Sequence, residues 1–267
     1  MLNYESQNFK SLSELREIAP SIFTKKGSNN TSSKYTHIPT DRVIKDLELL
    51  GWNVVDAKEV KARKQVGYQK HLVVLRNNDV VINGKDGDTV YPQILLTNSH
   101  DGKNSFSFQA GLYRMICENG LVIATEEFEN YKIRHMGYDF ETLQGVIKDM
   151  IANLDLTVES MNKMKATELT EEQTLDFAKQ LLETRVAGSK NKFGDEAIAD
   201  ILTPQRKQDK GNGLWEVFNR VQENIVEGNF QYLTPGGKLR QARPIKNFRQ
   251  DMNINAKMYE QALTFAA

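Results

Sequence analysis

The chain has 267 residues, 35 basic and 35 acidic side chains, 39% hydrophobic residues and a mean hydropathy of −0.54. That length can bury one sizeable core or two modest ones, and the balanced charge excludes bulk attraction to polyanions or to membrane surfaces. No apolar run approaches the roughly 20 residues of a membrane-spanning helix, and the single cysteine, Cys117, excludes an internal disulfide.

MLNYESQNFK lacks the basic and then apolar pattern of a signal peptide, so a cytoplasmic protein with no membrane partner is expected. Ser11 and Glu14 have capping-box spacing and predict a helix carrying Leu15 and Ile18 that ends near Pro20. The polar run from Thr24 to Ser33 reads as a surface loop, and it lacks the glycine and lysine spacing of a phosphate-binding loop. Thr40 is the expected N-cap of a second helix, in which Val43, Ile44, Leu47 and Leu50 form one apolar stripe before Gly51. Strands are expected over 52–60 and 71–76. Between them Lys58, Lys61, Arg63, Lys64 and Lys70 surround Tyr68, a basic and aromatic mixture used by single-strand binders, or else a solvated hairpin tip.

The pairs Asn83-Gly84 and Asp86-Gly87 are turn signals that lead into the most concentrated β-type sequence of the chain. Ile94, Leu95 and Leu96 run into a polar connector, Thr97 to Asn104, and Phe106 and Phe108 then alternate with Ser105, Ser107 and Gln109. From Ala110 the spacing of Leu112, Met115 and Ile116 predicts a short helix. Asn119-Gly120 is its expected stop, with Gly120 at positive φ. Leu121 to Ala124 and Tyr131 to His135 read as further strands.

Beyond Asp139 the period becomes helical. Phe140, Leu143, Val146, Ile147, Met150, Ile151 and Leu154 form one stripe, and Thr170 to Gln173 caps a helix carrying Leu175, Ala178, Leu181 and Leu182. A polar connector over 188–194 follows. Leu214, Val217, Phe218, Val221 and Ile225 mark a helix ending at Gly228, with Trp215 expected in the core. Asn229 to Gln250 holds no acid, and Lys238, Arg240, Arg243, Lys246 and Arg249 interleave there with Phe230, Tyr232 and Phe248. Pro235-Gly236-Gly237 and Pro244 make this segment an extended or looped arm, with Tyr232 or Phe248 available for stacking. A helix around 255–265 closes the chain.

The four histidines, His37, His71, His100 and His135, lack metal-ligand spacing, so neither a metal nor another cofactor is expected. His100, Asp101 and Arg114 form the candidate polar site. His100-Asp101 invites an acid/base reading, against which stands turn formation by Asp101. Arg114 can bind a phosphate or pair with Glu118, and Cys117 reads as a buried thiol in preference to a nucleophile. The basic clusters Lys61, Arg63, Lys64, Arg206, Lys207, Lys238, Arg240, Arg243, Lys246 and Arg249 form the candidate nucleic-acid contact set, since phosphate contact depends on local cation density.

Through Asn98, Asp101, Gly102, Arg114, Cys117, Asn119 and Gly120, the stretch NSHDGKNSFSFQAGLYRMICENGLV resembles the central motif of an uncharacterised family of phage- and plasmid-borne proteins, catalogued as a domain of unknown function. Arg206, Leu214, Trp215, Asn219 and Glu223 are similar to the family's later Arg and Leu-Trp-x-x-x-Asn-x-x-x-Glu pattern. The resemblance implies a mobile-element origin and full-length membership, and supplies no reaction.

The expected fold is α+β, with an antiparallel sheet from about residue 52 to 136, helices before it and a helical second half. Residues 1–137 and 138–267 are expected as a sheet region and a helical region packed on it in one composite domain. The leading functional expectation is a non-enzymatic phage or plasmid protein of the host-cell cytoplasm that binds single-stranded nucleic acid in replication or recombination, with self-association into a homo-oligomer left open. A protein-interaction or virion-associated structural role is the alternative, and an enzyme using His100 and Asp101 is the third reading.

Overall fold

The computed structural model describes residues 9–33, 35–62, 66–83, 89–114, 119–122, 131–133, 139–152, 154–186 and 189–266. The fold is α+β, with an antiparallel sheet in the first half and a mostly helical second half. The chain divides into two compact units: a sheet unit (Leu2–Gly120 with Glu126–Leu154) and a helical unit (Asp155–Ala267 with Leu121–Thr125).

The sheet unit opens with helix α1 (Leu12–Ile18), held by the expected capping box between Ser11 and Glu14. A 3-10 turn (Pro20–Phe23) leads towards α2 (Thr40–Leu49), which ends at Leu50 with Gly51 at φ 84°. Thr40 is the first helical residue and Pro39 the cap position, so the expected Thr40 side-chain cap is absent. The Thr40 hydroxyl is instead turned inward against His71 and Asn98. A buried hydrogen-bond partner outcompetes a solvent-side cap here, because leaving a buried imidazole unsatisfied costs more.

Strands β1 (Asn53–Glu59), β2 (His71–Arg76), β4 (Thr89–Asn98) and β5 (Phe106–Arg114) pair antiparallel in that spatial order. Short strand β3 (Ile82–Asn83) pairs with β4, and β7 (Tyr131–Ile133) with β5, while β6 (Asn119–Val122) extends the path past β5. The helix expected from Ala110 is not there. Phe106–Arg114 continues as one strand whose ladder runs as far as Arg114 opposite Val90, and Asn119 and Gly120 belong to a strand instead of a helix stop. The period-2 alternation begun at Phe106 and the ten-residue partner strand β4 override a local helical spacing of only three apolar residues. Met115, Ile116 and Cys117, and the turn signals at Gly84, Asp86 and Gly87, lie outside the described residues.

Helix α3 (Phe140–Ala152) supplies Leu143, Val146 and Ile147 to the sheet unit's core. There they join Leu15 and Ile22, then Val43, Ile44 and Leu47 of α2, over Val73, Leu75, Ile94, Leu96, Phe106 and Phe108 of the sheet. Phe106 and Phe108 meet edge to face at 4.8 Å, a geometry that adds about 0.5–1.5 kcal/mol to simple burial.

The helical unit contains α4 (Leu154–Ala166), α5 (Glu171–Val186), α6 (Asp195–Leu202), α7 (Leu214–Glu227), a hairpin of β8 (Gln231–Leu233) and β9 (Leu239–Gln241), and α8 (Phe248–Phe265). The Thr170–Gln173 capping box starts α5 as expected, although Leu175 is exposed. Helices α4 and α6 had no sequence expectation, and α8 begins seven residues before the expected 255. From Leu214 to Val226 only Glu216 escapes burial, so α7 is the centre of this unit. Trp215 is in the core, stacked at 6.3 Å on Phe218, which meets Tyr259 of α8 edge to face. The polar residues of α7 survive burial through dedicated partners. Asn224 donates to the carbonyls of Ile201 and Thr203, satisfying the end of α6, and Gln222 donates to Asn255. Among the described residues no helix is long and apolar enough to cross a membrane.

Candidate nucleic-acid interface

The acid-free segment 229–250 is not a free arm. It leaves α7 through Gly228, a left-handed C-cap at φ 75°, folds into the β8–β9 hairpin and returns as extended chain to the start of α8. Phe230, Ala242, Ile245 and Phe248 anchor it in the core, and the Ala242 and Ile245 amides donate to the carbonyls of Phe230 and Val226. Phe248 is therefore unavailable for stacking, because apolar burial of a whole ring outweighs its use at the surface. Tyr232 is half-buried.

This anchoring turns the segment's cations outward: Lys238, Arg240, Arg243, Lys246 and Arg249 are all exposed. Tyr232 pairs directly with Arg240 in the hairpin register, which puts both side chains on one face of the ribbon. The same tyrosine lies within electrostatic reach of Arg185, near the C-terminal end of α5. The Arg185 Nη2 donates to the Arg243 carbonyl at 2.9 Å, its Nε is buried with no hydrogen-bond partner among the described residues, and burial pulls its guanidinium below the usual arginine range. Beside it, Arg249, Asn253 and Lys257 stand at i, i+4 and i+8 on α8, one stripe of that helix. Together with Thr184, Asn247, Gln250 and Ile254 these residues line an open cleft of about 360 Å³ that contains no acid. Among the described residues none of these seven cations makes an ion pair. Arg185 and Lys257 had no sequence expectation. The only signal for Lys257 was the polar i, i+4, i+8 stripe that starts at Arg249, hidden by placing the helix start too late, and Arg185 on α5 had none.

The remaining expected contacts behave differently. Arg206 is ion-paired with Glu223 at 2.5 Å, so two residues of the later motif neutralise one another. Burial pushes the Glu223 carboxyl up, and Arg206 opposes that shift. Asn219 of the same motif donates to the Trp215 carbonyl. Lys207 is exposed on a 3-10 turn (Lys207–Asp209). Lys61 is exposed in the sheet unit after β1, and Arg63 and Lys64 lie outside the described residues.

In the sheet unit His100 is fully buried, and its backbone ties the polar loop down: the Ser28 amide donates to its carbonyl, and its amide to the Tyr68 carbonyl. Asp101 accepts from the Ser99 hydroxyl and the Lys103 amide, an Asx turn at the β4–β5 connection. The backbone of Arg114 ends β5, and its side chain lies outside the described residues. Tertiary structure gathers three of the histidines, with the His100 ring 4.6 Å from that of His37 and 5.4 Å from that of His71. The ring nitrogens of His71 are bonded to Ser21 and Thr40, and burial pulls its pKa down to about 4, so it stays neutral. Among the described residues no group of three or more His, Cys, Asp or Glu is placed to hold a metal ion.

The fold and its cationic cleft define an α+β protein with a basic cleft, acid-free in its lining, on its helical unit. The chain belongs to the family described as a domain of unknown function (DUF932), which matches residues 29–259. It is 29% identical over 258 residues to UPF0380 protein YafZ of Escherichia coli (strain K12), covering 93% of this chain and 89% of that protein. To UPF0380 protein YfjQ of the same strain it is 28% identical over 260 residues, covering 94% and 89%. No solved structure matches the chain with significance.

Proposed function

We propose that this protein is a nucleic-acid-binding protein that engages single strands through the helical unit. The observation that carries the reading is the set Arg185, Lys238, Arg240, Arg243, Lys246, Arg249 and Lys257, acid-free and without ion pairs among the described residues, with Tyr232 set among them. Cations not neutralised by ion pairs attract a phosphate backbone by releasing its counterions, and an aromatic ring among them offers a stacking surface for a base. The mobile-element origin implied by the family resemblance fits a role in phage or plasmid replication or recombination, in the cytoplasm of the host, holding or annealing strands. Fluorescence anisotropy with a labelled single-stranded oligonucleotide tests this directly. Binding that weakens steeply with salt is expected, and no binding at low salt would overturn the reading.

One observation favours a second reading. Leu233 and Leu239 pair on the hairpin face opposite Tyr232 and Arg240, and both are exposed, which suits a protein-interaction role. In that case assembly or partner binding would respond to Leu239→Ser, and oligonucleotide binding would be absent.

A further inference from the structure

We infer that the cleft between the end of α5 and the start of α8 is a discrete site for a phosphate monoester. The inference rests on the nucleic-acid reading only for the natural source of that group. A strand's internal phosphodiesters carry one charge each and are met well by cations spread along a surface, as on the β8–β9 hairpin. The cleft is built differently. Arg185, Arg249 and Lys257 all line one cleft of about 360 Å³, with no acid in its lining. Arg185 is held there by the bond from its Nη2 to the Arg243 carbonyl, and its Nε is buried without a hydrogen-bond partner among the described residues. Partly burying a guanidinium without a counter-charge is unfavourable, and an anion seated in the cleft would offset that cost. Three cations lining one cleft match the double charge of a monoester better than the single charge of a diester.

The neutral groups of the lining decide how the anion is held. Asn247 caps α8 by accepting from the Arg249 and Gln250 amides, so those backbone donors are already engaged. The Thr184 hydroxyl donates to Gln261. The side-chain amides of Gln250 and Asn253 have no partner among the described residues and remain as donors. A monoester here is therefore gripped by side chains, with charge-assisted bonds from the guanidinium groups and Lys257 and neutral bonds from Gln250 and Asn253. The positive end of α8 and the negative end of α5 both face this region and oppose one another, so the side chains carry the contacts. Two molecules carry this chemistry: the 5′-phosphate end of a strand and a free nucleoside 5′-monophosphate.

Anisotropy and calorimetry with matched ligands test the inference: a short single-stranded DNA with a 5′-phosphate, the same strand with a 5′-hydroxyl, and a nucleoside 5′-monophosphate alone. The 5′-phosphorylated strand is expected to bind about tenfold tighter than its 5′-hydroxyl counterpart, the scale of one or two added charge-assisted bonds. Arg249→Gln combined with Lys257→Gln, both exposed positions, should bring that ratio to about 1 while circular dichroism stays unchanged. Lys238→Gln combined with Arg240→Gln should weaken both strands alike and leave the ratio intact. If the free monophosphate binds and is lost in the cleft variant while neither strand binds, the site stands, a small nucleotide is its source, and the nucleic-acid reading fails. If both strands bind equally in the wild type and the monophosphate does not bind, the cleft inference is overturned and the nucleic-acid reading survives.

Discussion

Buried beneath α2, the His71 imidazole bonds, among the described residues, to Ser21, Thr40 and the Gln69 carbonyl and to no acid that would stabilise its charged form. Burial lowers its pKa from 6.5 to about 4. Above 6.5 it is neutral in folded and unfolded chains alike. Between 6.5 and about 4 only the unfolded chain takes up the proton, so stability falls as the pH drops through that window. The loss from this one group reaches about 3 kcal/mol. Urea unfolding of wild type and His71→Gln at several pH values should show a gap that narrows by about that amount from pH 7 to pH 4. A constant gap would mean that the ring is not held neutral by burial. Gly228 carries a different constraint. At φ 75° it ends α7, and an added Cβ would sit 2.8 Å from the carbonyl carbons of Ala242 and Arg243. Gly228→Ala is expected to cost on the order of 1–3 kcal/mol from backbone strain, with a further cost from displacing the returning chain, read as a lower Tm.

Helix α7 shows how one element can be both the hydrophobic centre of a unit and a polar framework. Its apolar residues fill the core, and its Asn, Gln, Arg and Glu side chains tie down α6, α8 and the loop before it. Trp215→Ala should cost about 3–5 kcal/mol, because a large buried ring is lost beside Phe218. A variant that keeps its stability but loses oligonucleotide binding would show instead that Trp215 is a stacking platform. The β8–β9 hairpin illustrates the opposite economy. Its strands are three residues long and its side chains mostly exposed, so it is held by the flanking anchors Phe230 and Ala242 and by backbone pairing of Leu233 with Lys192. Substitutions at its tip should change binding with little change in stability.

Across the whole molecule the charges cancel, so attraction to a strand must come from where the cations sit. If Lys238, Arg240, Arg243, Lys246 and Arg249 each meet a phosphate of one strand, log affinity should fall with log salt at a slope of about −3.5. Replacing Arg240, Arg243 and Lys246 together by Ala should flatten that slope by about 2 and weaken all sequences alike, since phosphate contacts carry no sequence information. Anisotropy titrations at four or five salt concentrations measure both. An unchanged slope in the triple variant would place the contacts elsewhere on the chain.

Short-range patterns were legible without any structure. Capping boxes at Ser11 and Thr170, the alternation at Phe106 and Phe108 and the apolar stripe of α7 each involve residues a few positions apart, where backbone geometry alone sets the outcome. The α+β class and the core position of Trp215 follow from such patterns. What the sequence could not decide were the features that need a distant partner. Ala110 to Arg114 reads locally as helix, and becomes strand because β4 offers a full ladder. Thr40 reads as a cap, and turns inward because His71 is brought to it across 31 positions. Arg206 reads as a free cation, and is neutralised by Glu223 on a buried helix. The cleft joins Arg185 to Arg249 and Lys257 over more than sixty residues of chain, and no local period encodes that convergence. Local order depends on neighbours along the backbone, whereas charge pairing and cavity formation depend on which surfaces hydrophobic burial brings together.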